Sequence, residues 1–225
     1  MGNEEKISGG ENRPVDTGGQ WSQHNRHIHN SQLPPSTPVQ VTLNYLAEKT
    51  PPTPGTFAAD LGCGSGIDTL ALLNSGFHVL AIDKDPATIG LLRQSIADDR
   101  LSTMVQTFEE LTPENLTLPN LAWVNASFAL PFCQPESFDL CWQVIQKALP
   151  GGGIFSGHFM GPKDTWASRP DMNFHTRESI DRLFTGYQIV WLDETEKDGR
   201  TIGGTPKHWH VFSIVSVRAA SPLMP

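Results

Sequence analysis

The chain has little of what several function classes require. Cysteine is scarce: Cys63, Cys133 and Cys141 are the three among 225 residues. They form no CxxC pair and no Cys/His spacing, which supports neither a disulfide framework nor a zinc site, so no metal is expected. Free buried thiols in a reducing compartment are the expectation instead. Basic residues are outnumbered, 16 Lys and Arg against 24 Asp and Glu, and the net charge is −8. No stretch concentrates the basic residues, so the long-range field repels nucleic acid and a small-molecule partner fits better. Long apolar runs are absent too. No segment reaches bilayer length, and the polar opening MGNEEKISGG lacks the apolar centre of a signal peptide. A soluble, cytoplasmic protein with no membrane partner is expected.

What is present divides into three parts. Residues 1–35 read as an N-terminal arm or lid, rich in Gly, Asn and Glu at first and without periodicity. They include an unusual polar and aromatic run with Trp21, His24, His27 and His29. Residues 36–218 read as one domain with a sizeable core, and 219–225 as a short tail. Ser36 can cap a helix that carries Val39, Leu43, Leu46 and Ala47 at helical spacing. Strand and helix then alternate, which signals a parallel sheet. Strands are predicted over 56–61, 77–82, 103–108, 121–128, 152–159, 188–193 and 208–217. Helices are predicted over 67–74, 87–97, 136–149 and 179–184, with Thr176 capping the last. Gly199 and Gly203-Gly204 suit a hairpin connection between the final two strands.

The strongest chemical signal is Ala59-Asp60-Leu61-Gly62-Cys63-Gly64-Ser65-Gly66 at the first strand–helix junction. Glycines at alternate positions let the backbone turn sharply and approach a ligand with no Cβ in the way. The following helix presents free N–H groups at its N-terminus. A dinucleotide fingerprint needs a third glycine where this chain has Ile67. The pattern here is G-x-G-x-G preceded by Asp60, an acid able to pair with an amino group. S-adenosylmethionine has such a group, whereas the pyrophosphate of NAD does not. Asp83 closes the second strand, where an acid can accept hydrogen bonds from ribose hydroxyls.

Asp60–Gly66 followed by Asp83 resembles the first two motifs of class I S-adenosylmethionine-dependent methyltransferases. Val124-Asn-Ala-Ser-Phe-Ala-Leu-Pro-Phe132 is similar to the fourth, with Asn125 where many relatives carry an acid, and Leu149-Pro-Gly-Gly152 resembles the turn before the fifth strand. Ser127–Phe132, Gly157–Gly161 and Trp209-His210 are similar to small bacterial enzymes of the tellurite-resistance type. The resemblance implies an α/β fold: a three-layer, Rossmann-like, mostly parallel sheet of seven strands, the last antiparallel. It implies S-adenosylmethionine as cofactor, held around Asp60, Gly62, Cys63, Gly64, Gly66, Asp83 and Lys84. It places Glu109 and Glu110 close to the adenine, and Asn125, Ala126 and Ser127 beside the methyl-bearing sulfonium.

The acceptor side carries less signal. His158 ends the fifth strand and is a candidate general base, because imidazole titrates near neutral pH; a histidine bonded to a neighbouring backbone group is the competing reading. Trp166 and His208 lie at the same edge as candidate acceptor contacts. His208 and His210 share a strand face, and a structural role is expected for them. Trp21 and His24 are candidates for a lid over the acceptor, with a solvated linker as the rival. Trp142, Phe155, Phe159 and Phe174 read as core or pocket wall. Methyl transfer to a small molecule is the leading reading. A non-catalytic cofactor-binding sensor or partner subunit stays open because of Asn125, and a nicotinamide dehydrogenase is disfavoured by Ile67.

Overall fold

The computed structural model describes residues 33–49, 51–201 and 203–220. The elements run in the order α1 (Thr37–Lys49), β1 (Phe57–Leu61), α2 (Ile67–Asn74), β2 (His78–Asp83), α3 (Pro86–Ser95), β3 (Leu101–Val105), β4 (Leu121–Ala126), α4 (Pro135–Ala148), β5 (Ile154–Met160), α5 (Arg177–Leu183), β6 (Tyr187–Arg200) and β7 (Pro206–Arg218). The strands form one sheet in the order β3-β2-β1-β4-β5-β7-β6. Parallel pairing joins β3 through β5, and β7 runs antiparallel to both β5 and β6. This is the predicted three-layer, Rossmann-like, mostly parallel arrangement with a final antiparallel strand.

Local chemistry sets the helix starts. Asp85 accepts from the Ala87 N–H and Pro86 opens α3, while Thr176 accepts from the Ser179 N–H to open α5. α2 begins differently. Its N-cap is Gly66 in the left-handed region, and no side chain caps it, so its first N–H groups face the carboxyl edge of the sheet. Ser36 was expected to cap α1. Its carbonyl does accept from the Gln40 N–H, but its hydroxyl turns to Asp68 and Ser127 instead.

Two layers of side chains cover the sheet. On one face α4 and α5 pack over β1, β4 and β5; on the other α1 and α2 pack over Trp123, Phe77 and Val79. The strands β1, β2, β4 and β5 are buried along most of their length, as expected of strands covered on both faces, whereas β3 at the sheet edge is partly exposed. Trp142, Phe155 and Phe159 lie in the first layer, the ring of Trp142 meeting Phe155, Phe159 and Phe184 at 5.0, 5.8 and 5.2 Å in edge-to-face contacts.

Three boundaries differ from the sequence reading. β3 occupies 101–105 rather than 103–108. After Val105 the Gln106 N–H bonds Asp83 and its amide bonds the Glu110 carbonyl, which turns the chain; Phe108 packs from that turn onto the core. β6 runs seven residues past its predicted end, to Arg200. That extension, Glu194–Arg200, is polar and pairs with Pro206–Phe212, whereas β5 reaches only Val211 on β7. The ribbon therefore projects beyond the parallel sheet, where no alternation of apolar residues is demanded. Gly199 lies inside β6 opposite Lys207, and the turn is closed by Thr201, Gly204 and Thr205.

Trp142→Ala is expected to remove about 3–5 kcal/mol of stability, the usual cost of deleting a large buried aromatic, with the fold retained. Urea unfolding checks this: a midpoint within error of the parent would show that the aromatic cluster is not structural.

Candidate active site at the carboxyl edge

The chain order reverses between β1 and β4, which flank one another while their neighbours lead to opposite sides of the sheet. A crevice outside the carboxyl ends of the strands is the general ligand position in such sheets. Gly62, Gly64 and Gly66 sit there with φ of 68°, 49° and 81°, a region costly for residues with a Cβ. Space adds a second requirement. A Cβ on Gly62 would lie 2.5 Å from the Ala129 Cβ, and one on Gly66 would lie 2.1 Å from Leu92 Cδ1. Gly64 donates its N–H to Asp83 Oδ2 at 3.0 Å, and the Asp85 N–H donates to Oδ1 at 3.0 Å. Asp83 is thus fixed beside the loop, with its carboxyl pushed up chiefly by burial. Burial and the neighbouring Asp60 and Asp83 raise the Cys63 thiol far above its usual range, so Cys63 is not a thiolate.

Behind the loop lies a buried polar network. Asp60 accepts from the Thr69 hydroxyl at 2.6 Å and from Asn125 Nδ2 at 2.9 Å. The same Asn125 amide donates to Asp68 at 3.2 Å. Asp68 also accepts from the Ser36 N–H and hydroxyl, both at 2.8 Å, and Ser36 meets Ser127 at 2.7 Å. The Asn125 oxygen accepts from Ser156 at 2.7 Å and Ser127 at 3.2 Å, and Trp123 Nε1 donates to Ser156. Burial, then the Asp68 charge, pushes the Asp60 carboxyl up to about 7. Among the described residues neither Asp60 nor Asp68 has a Lys or Arg partner. The bridging position explains the amide at 125: a third carboxylate there would face two others.

Asp68 escaped the sequence reading. An acid in the first turn of a helix reads as an ordinary partner of the helix dipole, and nothing local shows that α1 returns to cover it.

The acceptor edge gathers aromatic side chains. Phe128, next to Ser127, has φ of 50°, a conformation that costs a bulky residue about 1–3 kcal/mol and tends to mark functional sites. Its ring stacks on His158 at 3.9 Å and 13° and meets Trp209 edge-on at 6.3 Å. His158 is 4% exposed. Its Nδ1 has no hydrogen-bond partner, so the backbone bond expected in the competing reading is absent at that atom. Burial holds its pKa down at about 3. Trp166 follows Asp164, which accepts from its N–H. Lys207 is buried and paired with Asp164, with its ammonium over the Trp209 and Trp166 rings at 3.8 and 4.3 Å.

The remaining predicted residues lie further out. His208 bonds Asp198 at 2.7 Å on the β6–β7 ribbon, a contact that raises its pKa. His210 is buried, accepting from the Lys163 N–H and meeting Glu194 at 3.1 Å. His210 thus joins the ribbon to the loop after β5, while His208 pairs across the two strands of the ribbon itself. Lys84 is exposed. Glu109 accepts from the Gln134 N–H and Glu110 from the Thr107 hydroxyl, both at the surface beyond β3. Ala126 is buried at the end of β4. Trp21 and His24, with His27 and His29, lie outside the described residues, as does the greater part of the 1–35 segment. Among the described residues no group of three or more His, Cys, Asp or Glu is placed to hold a metal.

Residues 50–157 match the family model described as tellurite resistance protein TehB. The chain is 28% identical over 104 residues to a cypemycin N-terminal methyltransferase of Streptomyces sp, covering 46% of this chain and 42% of that protein. It is 30% identical over 113 residues to a chloroplastic ribosomal RNA small subunit methyltransferase of Arabidopsis thaliana, covering 45% and 31%. These matches span less than half the length of either relative. The solved TehB structure from Haemophilus influenzae superposes with a TM-score of 0.60 at 13% identity, covering 80% of this chain and 61% of that one. The family match runs from before the glycine loop through the β4 motif to β5, the segment that builds the crevice, and over that segment the chain is similar to TehB and to methyltransferases.

Proposed function

We propose that the chain transfers a methyl group from S-adenosylmethionine to a small-molecule acceptor, aligned for in-line displacement. One observation carries the choice of ligand. Asp60 and Asp68 are buried together, bridged by Asn125, with no Lys or Arg partner among the described residues. Such a site suits a cationic ligand bearing an ammonium group and opposes the pyrophosphate of a dinucleotide. In this reading Gly62, Cys63, Gly64 and Gly66 cradle the amino-acid end through their backbone. Asp83 takes the ribose hydroxyls with Lys84 alongside, and Glu109 and Glu110 border the adenine. Asn125, Ala126 and Ser127 line the sulfonium end.

When bound, the cofactor supplies an electrophilic methyl on a good leaving group. The chain then has to align the acceptor and exclude water, which can account for much of the rate. His158 is neutral near pH 7 with a pKa of about 3, poorly matched to a general base at that pH. We assign it to the wall of the acceptor site, with Trp166 and His208 nearer the rim. Residues 36–218 form the catalytic domain in this reading. The three free cysteines suit a reducing, cytoplasmic setting. The acidic balance of the chain favours a small acceptor over nucleic acid. The sensor reading rested on Asn125, and the bridging role of that amide gives it a structural reason that does not require loss of catalysis.

Three outcomes are expected. Incubation with methyl-labelled S-adenosylmethionine and a panel of small acceptors yields labelled product; tight cofactor binding with no transfer to any acceptor class would instead support the sensor. Gly64→Val, which adds a β-branched side chain at φ 49°, weakens adenosylhomocysteine at least about tenfold, or about 1.4 kcal/mol, in a folded protein. Calorimetry beside circular dichroism checks both halves.

The third outcome concerns pH. Asp60 is raised to about 7, so it is protonated and neutral below that pH and a carboxylate above it. A cationic ammonium favours the carboxylate. Affinity for adenosylhomocysteine therefore rises as pH goes from about 5.5 to about 7.5, with proton release on binding. Asp60→Asn lowers the affinity and flattens the profile. A parent protein with a flat profile would show that Asp60 does not sense the ligand.

A further inference from the structure

We propose that Phe128 is the specificity-determining residue of the acceptor site, and that its exposed ring selects a flat aromatic acceptor by stacking. The inference rests on the methyltransferase reading above and names the substrate class of that same site.

Four observations meet at this residue. Phe128 follows Ser127, whose hydroxyl belongs to the Asp68 network, so the ring stands immediately beside the proposed methyl-bearing end. Its backbone holds φ of 50°, which a phenylalanine adopts only when its surroundings enforce it. Although strained, the residue is 44% exposed, so burial of the ring does not account for the strain. One face is taken by His158 at 3.9 Å, nearly parallel.

The neighbouring rings are differently engaged. Trp166 and Trp209 both lie against the Lys207 ammonium, at 4.3 and 3.8 Å, and Lys207 is itself tied to Asp164. Their cation-binding capacity is already used by the chain's own lysine. Phe128, by contrast, meets other rings, His158 and Trp209. Stacking on Phe128 would extend the offset layer that His158 begins, and such contacts favour a flat π face over a puckered ring of the same size.

The test uses the full chain saturated with adenosylhomocysteine, whose binding is confirmed first by calorimetry. The probes are 2-naphthol and its saturated counterpart decahydro-2-naphthol, which share skeleton and hydroxyl. The saturated compound is the more hydrophobic, so a preference for the flat one reports stacking. We expect 2-naphthol to bind about three- to tenfold more tightly by titration calorimetry. Saturation transfer in NMR should reach its ring protons. Phe128→Leu should remove that preference, Phe128→Tyr should restore it, and adenosylhomocysteine affinity should stay within about twofold in both, showing that each variant is folded. Equal or tighter binding of decahydro-2-naphthol, or a preference that survives Phe128→Leu, overturns the proposal. Failure of adenosylhomocysteine to bind the parent chain overturns the cofactor reading and this proposal with it, whereas failure of the naphthol comparison alone leaves the cofactor reading standing.

Discussion

The Asn125 side-chain amide holds two buried carboxylates, Asp60 from the end of β1 and Asp68 from the first turn of α2. Burial first, and then repulsion between two carboxyls this close, raises the Asp60 pKa toward neutrality. The fold tolerates the cost because each carboxyl has further donors: Thr69 for Asp60, Ser36 for Asp68. The same network ties together the ends of β1 and β4, the start of α2 and the entry to α1. Much of the carboxyl-edge geometry follows from keeping this network satisfied. In the proposed reading, a ligand that carries positive charge to this network relieves the repulsion, and part of its affinity comes from that relief.

The glycine loop answers a different constraint. Gly62 and Gly66 are required by their own backbone angles and by the atoms of Ala129 and Leu92 that crowd them. Gly64 instead turns its N–H onto Asp83, coupling the loop to the end of β2. One loop therefore packs on the β4 exit, packs on α3 and positions the acid at the next strand end. A motif spaced G-x-G-x-G is the local record of those three demands.

That is why the cofactor half was legible in the sequence and the acceptor half less so. The loop, Asp60 and Asp83 are contiguous or sit at strand ends, and their backbone conformations leave glycines and acids at fixed intervals. Alternating apolar runs located the seven strands because each buried strand needs them. The signal failed where its physical cause is absent. The extension of β6 is solvated on a projecting ribbon and carries Glu194, Glu196 and Asp198, which pair across to His210 and His208. Asp68 looked like a helix-dipole partner because its Ser36 contact spans 32 residues. Phe128 looked like one more apolar residue in the β4 motif; its left-handed backbone cannot be read from a residue type that rarely adopts it.

The ribbon links these failures to function. Beyond the end of β5, β7 has β6 as its strand partner, so the placement of Trp209 depends on cross-strand contacts and on the Lys207–Asp164 pair rather than on a central sheet. Lys207 is buried between two indole rings, where desolvation lowers its pKa and Asp164 counters the shift. Removing either partner would leave a buried charge uncompensated. The proposed acceptor edge is thus assembled from two differently supported parts: His158 on β5, within the central sheet, and Trp209 on a ribbon where β7 pairs with β6. Phe128 touches both rings. Changes in the ribbon can therefore reshape the acceptor side while the glycine loop and the Asn125 network, anchored in β1, β2 and β4, stay as they are.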